Sequence, residues 1–321
     1  MLDVLIIGAG PTGLYAAFLA GLRKLNAAVI ESSSEAGGQL TAVYKDKYIY
    51  DIPGFPKVTA LDYVKGQVKQ WERFKEEIPI YYDEEALDIK KVEDYYEVTT
   101  KQQVIQTKTV LIAHGGGGFV PQKLKTDVEY SNILYFVKDL NVFKEKKVVV
   151  LGGGDSALDW AVSISNLTKD VTVVHRRNEF RALAATVDEF RSKGTILTPY
   201  MVQTVIGDDQ TAEKLVLKHA QTHEELVIDA DYILVNYGFL LSKSKLEQWG
   251  IEGDKGLIKV DSMMQTNLKG IYAAGNGIIY PGKVKLISTG QGEAATAIQA
   301  INNMLYPERE NFEHSSSLIK E

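Results

Sequence analysis

Residues 3–13 read DVLIIGAGPTG, an apolar run that breaks into the glycines Gly8, Gly10 and Gly13. The run predicts a buried strand over 3–7. The LYAAFLAGL that follows predicts an apolar helix, AAVI predicts a second strand, and Glu31 closes the unit. Strand, glycine loop, helix, strand and acid is the order of a dinucleotide-binding βαβ unit. Glycines allow a tight turn and close backbone approach to a pyrophosphate, the helix N-terminus meets its charge, and the acid accepts hydrogen bonds from a ribose. For the loop alone, a glycine turn that merely packs helix on strand is the alternative.

A second copy follows in KKVVVLGGGDSALDWAVSISNLTKDVTVVHRR, where Gly152, Gly154 and Ala157 hold the glycine-loop positions and Asp155 and Ser156 open the next helix. The step that leads from Gly13 to Glu31 leads from Ala157 to His175, and Arg176 and Arg177 come next, with Arg181 close behind. An acid at this position favours a free 2′-hydroxyl, whereas cations favour a 2′-phosphate. The two units therefore predict two dinucleotides, FAD on the first and NADPH on the second, and hydride transfer between them. A solvated basic turn is the alternative for HRRNEFR.

The 321 residues suffice for two domains with full cores. A net charge of −6 argues against nucleic acid as the main partner. No apolar run reaches the ~20 residues needed to cross a bilayer. The N-terminal MLDVLIIGAGPTG lacks the basic start of a signal peptide, so no membrane association and a cytoplasmic location are expected. The chain has no cysteine, which excludes a disulfide, a thiolate metal site and a dithiol relay.

Over essentially its whole length the chain resembles the thioredoxin reductase-like flavoproteins. The resemblance rests on GAGPTG, GGQL (37–40), YDIPGFP (50–56), GGGDSALDWA, HRR, VNYGF (235–239) and AAGN (273–276). It implies an α/β fold of two Rossmann-like dinucleotide-binding domains, with the NADPH domain (116–241) inserted into an FAD domain (1–115 and 242–321). Where thioredoxin reductases of this type carry Cys-x-x-Cys, this chain reads YFVKDLNVF (135–143), so electrons must leave the flavin directly.

YPGKVKLISTGQGEA (280–294) and the tail His314-Ser315-Ser316-Ser317 are more similar to the ferredoxin/flavodoxin–NADP reductases of the thioredoxin reductase-like type. That resemblance implies a homodimer in which the tail of one subunit covers the flavin of the other. His314 would stack on one face of the ring and Tyr44 on the other, with Ser315 or Ser316 at the flavin edge. It also implies FAD contacts at Thr12, Gly38, Gln39, Leu87, Phe119 and Asn276. The electron acceptor it implies is ferredoxin or flavodoxin. A dedicated reductase for an iron- or haem-handling partner and a non-catalytic NADPH-binding module are the alternatives. Lys283 and Lys285 are candidate contacts for an acidic carrier, equally readable as surface lysines.

The helix expected over TGQGEAATAIQAINNML would aim its positive end at the flavin, with Glu293 weakening that field. Three departures from the family pattern stand out: AAGN for the usual AAGD, HGGGGF at 114–119, and RALAATVDEF after the arginines. His114 is assigned no role.

Overall fold

The computed structural model describes residues 1–43, 45, 47–115, 120–137, 139–240 and 243–309. The chain divides into two compact units, Met1–Phe119 with Leu241–Glu321, and Val120–Leu240. In chain order the elements that position the sites are β1 (Leu2–Ile7), α1 (Pro11–Leu22), β2 (Ala27–Ile30), α2 (Ala60–Trp71) and β3 (Val104–Ile112). The second unit then contributes β4 (Val148–Leu151), α3 (Asp155–Ser165), β5 (Val171–Val174) and β6 (Tyr232–Val235). The return to the first unit adds β7 (Ile271–Ala273) and α4 (Ile287–Leu305).

In the first unit β1 pairs in parallel with β2 on one side and β3 on the other, with Ile6 opposite Val29 and Leu111. All but the first residue of β1 are buried, as a strand covered on both faces requires. On its edge away from β1 the long β3 serves two more neighbours: its first half pairs antiparallel with the strand Tyr95–Thr99, its last residues in parallel with β7. The helix α1 is apolar on nearly every face, which suits a helix enclosed by the sheet, α2 and α4. Arg23, at its C-terminal end, donates to the Gln299 side chain of α4 at 2.8 and 3.0 Å. α4 begins at Ile287, ahead of the expected Thr289, and Leu286 and Ile287 line a cleft described below.

The second unit repeats the scheme in a parallel five-stranded sheet that contains β6, β4 and β5 side by side. Its core gathers Val148, Val150, Leu158, Ala161, Val173 and Leu234 around α3. A three-stranded antiparallel sheet of Tyr200–Gly207, Ala212–His219 and Glu225–Asp229 packs on the other face through Leu215 and Leu217.

Candidate functional site

In the first unit a cleft runs past the C-terminal ends of β1, β2 and β3, where ligands of open parallel sheets collect. Its floor is the loop of Gly8, Gly10 and Gly13, whose members do different work. Gly8 has φ 105°, and a Cβ there would lie 2.8 Å from the Ala113 carbonyl oxygen. A Cβ on Gly13 would lie 1.8 Å from the Gly8 carbonyl oxygen. At Gly10, with φ −71°, a Cβ would meet nothing within 4 Å. Two glycines let β1, α1 and β3 touch; the third keeps the cleft open above the start of α1.

That helix start carries Pro11, no side-chain cap and no acid in its first turn. Its N–H groups therefore present an anion-binding end to the cleft. Glu31 lies at the end of β2, buried, with Oε2 accepting from the Ala9 N–H at 2.8 Å. Its Oε1 accepts from the Ser33 N–H at 2.8 Å and the Ser32 hydroxyl at 3.2 Å. The carboxylate is thus fixed against the glycine loop while lining the cleft, and it retains lone pairs for further hydroxyl donors.

The GGQL loop closes over this floor. The Gly37 N–H donates to the Ala9 carbonyl at 2.8 Å, Gly38 has φ 56°, and Gln39 and Leu40 line the cleft. Gln67 of α2 donates to the Pro11 carbonyl at 2.9 Å and braces the loop from behind.

The far wall is the AAGN turn with the N-terminus of α4. A Cβ on Gly275 or Gly290 would come within 2.8 or 2.7 Å of Thr12 Oγ1, so both glycines let turn and helix close on the start of α1. Asn276, Leu286 and Ile287 line the cleft here. Behind them Glu293 accepts from the Gly275 N–H at 2.9 Å, the Tyr280 hydroxyl at 2.7 Å and Lys283 Nζ at 2.5 Å. The side chains of Lys283 and Glu293 are 5% and 4% exposed. The hydrogen bond to Glu293, with burial, pushes the Tyr280 phenol up to about 12.

Two expectations change as a result. Glu293 does not stand as a lone charge weakening the helix end, because the Lys283 ammonium compensates it. Lys283 is not a surface contact for a carrier, because it is buried in that pair; Lys285 is exposed.

The cleft joins Gly8, Gly10, Thr12, Glu31, Gly38, Gln39 and Asn276, with Gly13 directly beneath. Leu87 does not line it. The Leu87 N–H donates to the Thr99 carbonyl and its carbonyl accepts from Trp249, while Glu84, Glu85 and Ala86 form the wall. Tyr44, Phe119, His314, Ser315 and Ser316 lie outside the described residues. Sequence reasoning missed His114, Lys245 and Trp249 as lining residues. Lys245 bonds Glu85 at 2.6 Å, a pairing across the insertion that no local motif announces.

The second unit builds a matching loop. Gly152 has φ 146°, and a Cβ there would fall 2.5 Å from the Asn236 carbonyl oxygen. Gly154 precedes α3 without a side-chain cap, and a Cβ there would meet nothing within 4 Å. Ser156 lies in the first turn of α3. Asp155 accepts from the Leu183 N–H at 3.0 Å, and the Arg181 N–H donates to the Gly153 carbonyl at 2.8 Å. These two bonds hold the segment after β5 against the loop.

The His175 ring packs across Gly153 and lies 3.2 Å from the Glu179 carbonyl; burial and the neighbouring arginines push its pKa down. It braces the segment as a largely neutral ring. Arg176, Arg177 and Arg181 are exposed, and no acid among the described residues forms an ion pair with them. The three exposed guanidinium groups outnumber the one acid, Asp155, in the first turn of α3, so this end of the second unit carries more positive charge than the start of α1.

No cluster of metal-ligating side chains occurs among the described residues, and no described helix is long and apolar enough to cross a membrane.

Comparison with known proteins fits this geometry. Residues 2–300 match the family model of the pyridine nucleotide-disulphide oxidoreductases. The chain is 74% identical over 322 residues to the ferredoxin–NADP reductase of Acholeplasma laidlawii, covering all of both chains. It is 43% identical to that of Geobacillus thermodenitrificans, covering 99% of this chain and 97% of the relative. Among solved structures it superposes on the thioredoxin reductase of T. acidophilum with a TM-score of 0.82 at 25% identity, covering 95% of this chain and 98% of the other. With two glycine-loop units of parallel sheet, and a family match that spans both, the chain belongs to the pyridine nucleotide-disulphide oxidoreductase family, as a member without a single cysteine.

Proposed function

We propose that the protein is an NADPH-dependent flavoprotein reductase that passes electrons through FAD to ferredoxin or flavodoxin. The observation that carries this reading is the contrast between its two glycine loops: one ends at a buried carboxylate in a long cleft, the other at three unpaired arginines. The names of its relatives point to ferredoxin; flavodoxin rests on the resemblance alone.

FAD, when bound, accepts a hydride from NADPH and releases electrons one at a time. The chain's own residues bind and orient. The α1 N-terminus would hold the FAD pyrophosphate, Glu31 the adenosine ribose, and Gln39, Thr12 and Asn276 the flavin-bearing half. Asn276 keeps a carbonyl acceptor where the AAGD pattern that the chain resembles implies a carboxylate, so one hydrogen bond, worth roughly 0.5–1.5 kcal/mol, changes in charge rather than vanishing. The α3 N-terminus would take the NADPH pyrophosphate, and Arg176, Arg177 and Arg181 its 2′-phosphate. With no cysteine to relay electrons, the flavin itself must face the acceptor. The stacking roles of Tyr44 and His314, the tail cover by Ser315 and Ser316, and the homodimer that would bring the tail to a partner's flavin complete the proposal.

The test is the flavin absorbance of the purified protein, followed anaerobically as NADPH or NADH is added. Fast bleaching by NADPH and slow bleaching by NADH is the expected result, with ferredoxin or flavodoxin restoring the oxidised band. A protein without a flavin band, or with one that NADPH leaves unchanged, defeats the reading.

Arg177→Ala should raise the KM for NADPH about 10- to 100-fold, the loss of one charge-assisted contact, and leave the KM for NADH within about twofold. Equal losses with both coenzymes would remove the 2′-phosphate role.

A further inference from the structure

His114 follows β3 at the one place where that strand, the glycine loop and the AAGN turn meet. Its Cα lies 3.0 Å from the position a Cβ on Gly8 would take. Its imidazole Nδ1 is 3.2 Å from the Gly115 carbonyl oxygen, so Nδ1 carries the proton in the neutral ring and Nε2 is left as the titrating atom. The ring's Cε1 lies 3.6 Å from where a Cβ on Gly277 would stand, and Gly277 must be glycine because such a Cβ would fall 2.1 Å from the Gly115 carbonyl. The residue lines the same cleft as Gly8, Gly10 and Asn276. Resting on the reading of this cleft as the FAD site, we infer that His114 is a phosphate-side contact of the dinucleotide, whose imidazole takes up a proton from solvent as the diphosphate binds.

The charges around it favour that sequence of events. Without a ligand, burial and then the Lys245 ammonium hold the imidazole below its ordinary pKa, so it is neutral near pH 7. The acids that line the cleft bond groups other than His114, although Oε2 of the buried Glu84 accepts no hydrogen bond. Glu85 pairs with Lys245, Glu84 accepts from Gln103 at 3.2 Å, and Glu31 accepts from Ala9, Ser32 and Ser33. On the α4 side Glu293 is compensated by Lys283, and the start of α1 has no charged side chain. Among the described residues no carboxylate bonds the imidazole, so a bound diphosphate would add a negative charge on the side where Lys245 is the only charge acting on it, and it would raise the pKa of His114 in the complex.

The sign follows from linkage: a group whose pKa is higher in the complex than in the free protein binds a proton on association, so affinity rises as pH falls through the interval between the two values. A shift of one unit corresponds to a tenfold change in affinity.

The experiment uses the full chain freed of flavin, with FAD titrated calorimetrically from pH 5.5 to 8 in buffers of different ionisation enthalpy. The native protein is expected to bind FAD about tenfold more tightly at pH 5.5 than at pH 8 and to take up a proton on binding at the acid end of that range. His114→Asn should abolish both the uptake and the slope, while His114→Lys should bind with a flat pH profile at the tight end. Native binding without proton uptake, or an unchanged slope in His114→Asn, overturns the inference while leaving FAD as the ligand. Failure of the native protein to bind FAD at any pH overturns the FAD reading and this inference with it.

Discussion

Gly13→Val should yield a protein without flavin and with an unfolding temperature lowered by roughly 6–12 °C, whereas Gly10→Ser should keep its fold and lose only affinity for the dinucleotide. The two glycines sit three positions apart in one loop, yet their surroundings differ. At Gly13 even a Cβ would lie 1.8 Å from the Gly8 carbonyl oxygen, which is backbone and cannot rotate away. Relief requires α1 to lift from β1, and α1 is the element on which α2 and α4 pack. Overpacking of a rigid contact costs about 3 kcal/mol, and a unit of this size loses 2–4 °C for each.

At Gly10 the added atoms enter open cleft. Serine is moreover a favoured N-cap, so its hydroxyl would satisfy an N–H of α1 and leave stability within a few tenths of a kcal/mol of the native protein. That same N–H is then withdrawn from the ligand, and the Cβ stands where the pyrophosphate would approach. FAD affinity should fall at least about tenfold. Thermal unfolding by circular dichroism, with the flavin-to-protein absorbance ratio, separates the two effects. Loss of fold in Gly10→Ser, or retained flavin in Gly13→Val, would show that the roles assigned within the loop are misplaced.

The contrast also marks what the sequence made legible. The glycine spacing, the apolar strands and the acid or arginine at each unit's end specify local geometry, because each lies within one βαβ span. GAGPTG with Glu31 and GGGDSA with Arg176 and Arg177 could therefore be read directly. Residues brought to the first cleft from beyond the insertion could not. Lys245 reaches Glu85 and Trp249 reaches the Leu87 carbonyl only because the chain returns to its first unit after the span Val120–Leu240.

Charge was the least legible property. Glu293 and Lys283 each looked like a single ionised group with its own effect, and only packing reveals that they cancel. His114 carried no pattern at all, since one histidine after a strand has many uses.

The Lys283–Glu293 pair supports the other large effect. Lys283→Met should lower the unfolding temperature of the first unit by roughly 6–20 °C, and the double variant Lys283→Met/Glu293→Gln should recover most of that loss. Removing one partner of a buried pair leaves the other as an uncompensated buried charge, at about 3–5 kcal/mol. Glu293 would still accept from the Gly275 N–H and the Tyr280 hydroxyl, but two neutral donors do not replace an ammonium 2.5 Å away in a place only 4% exposed. Glutamine in the double variant keeps a carbonyl acceptor for Gly275 and carries no charge.

Because Gly275 precedes Asn276, the single variant should also loosen FAD, and the double variant should restore it along with stability. Reduction of a protein acceptor at rising ionic strength then tells this internal role from a docking role. Lys283→Met should leave the salt dependence of the acceptor's KM as it is in the native protein, since a buried lysine does not steer a partner. A flattened salt dependence in Lys283→Met, with an unchanged unfolding temperature, would return Lys283 to the surface and the carrier.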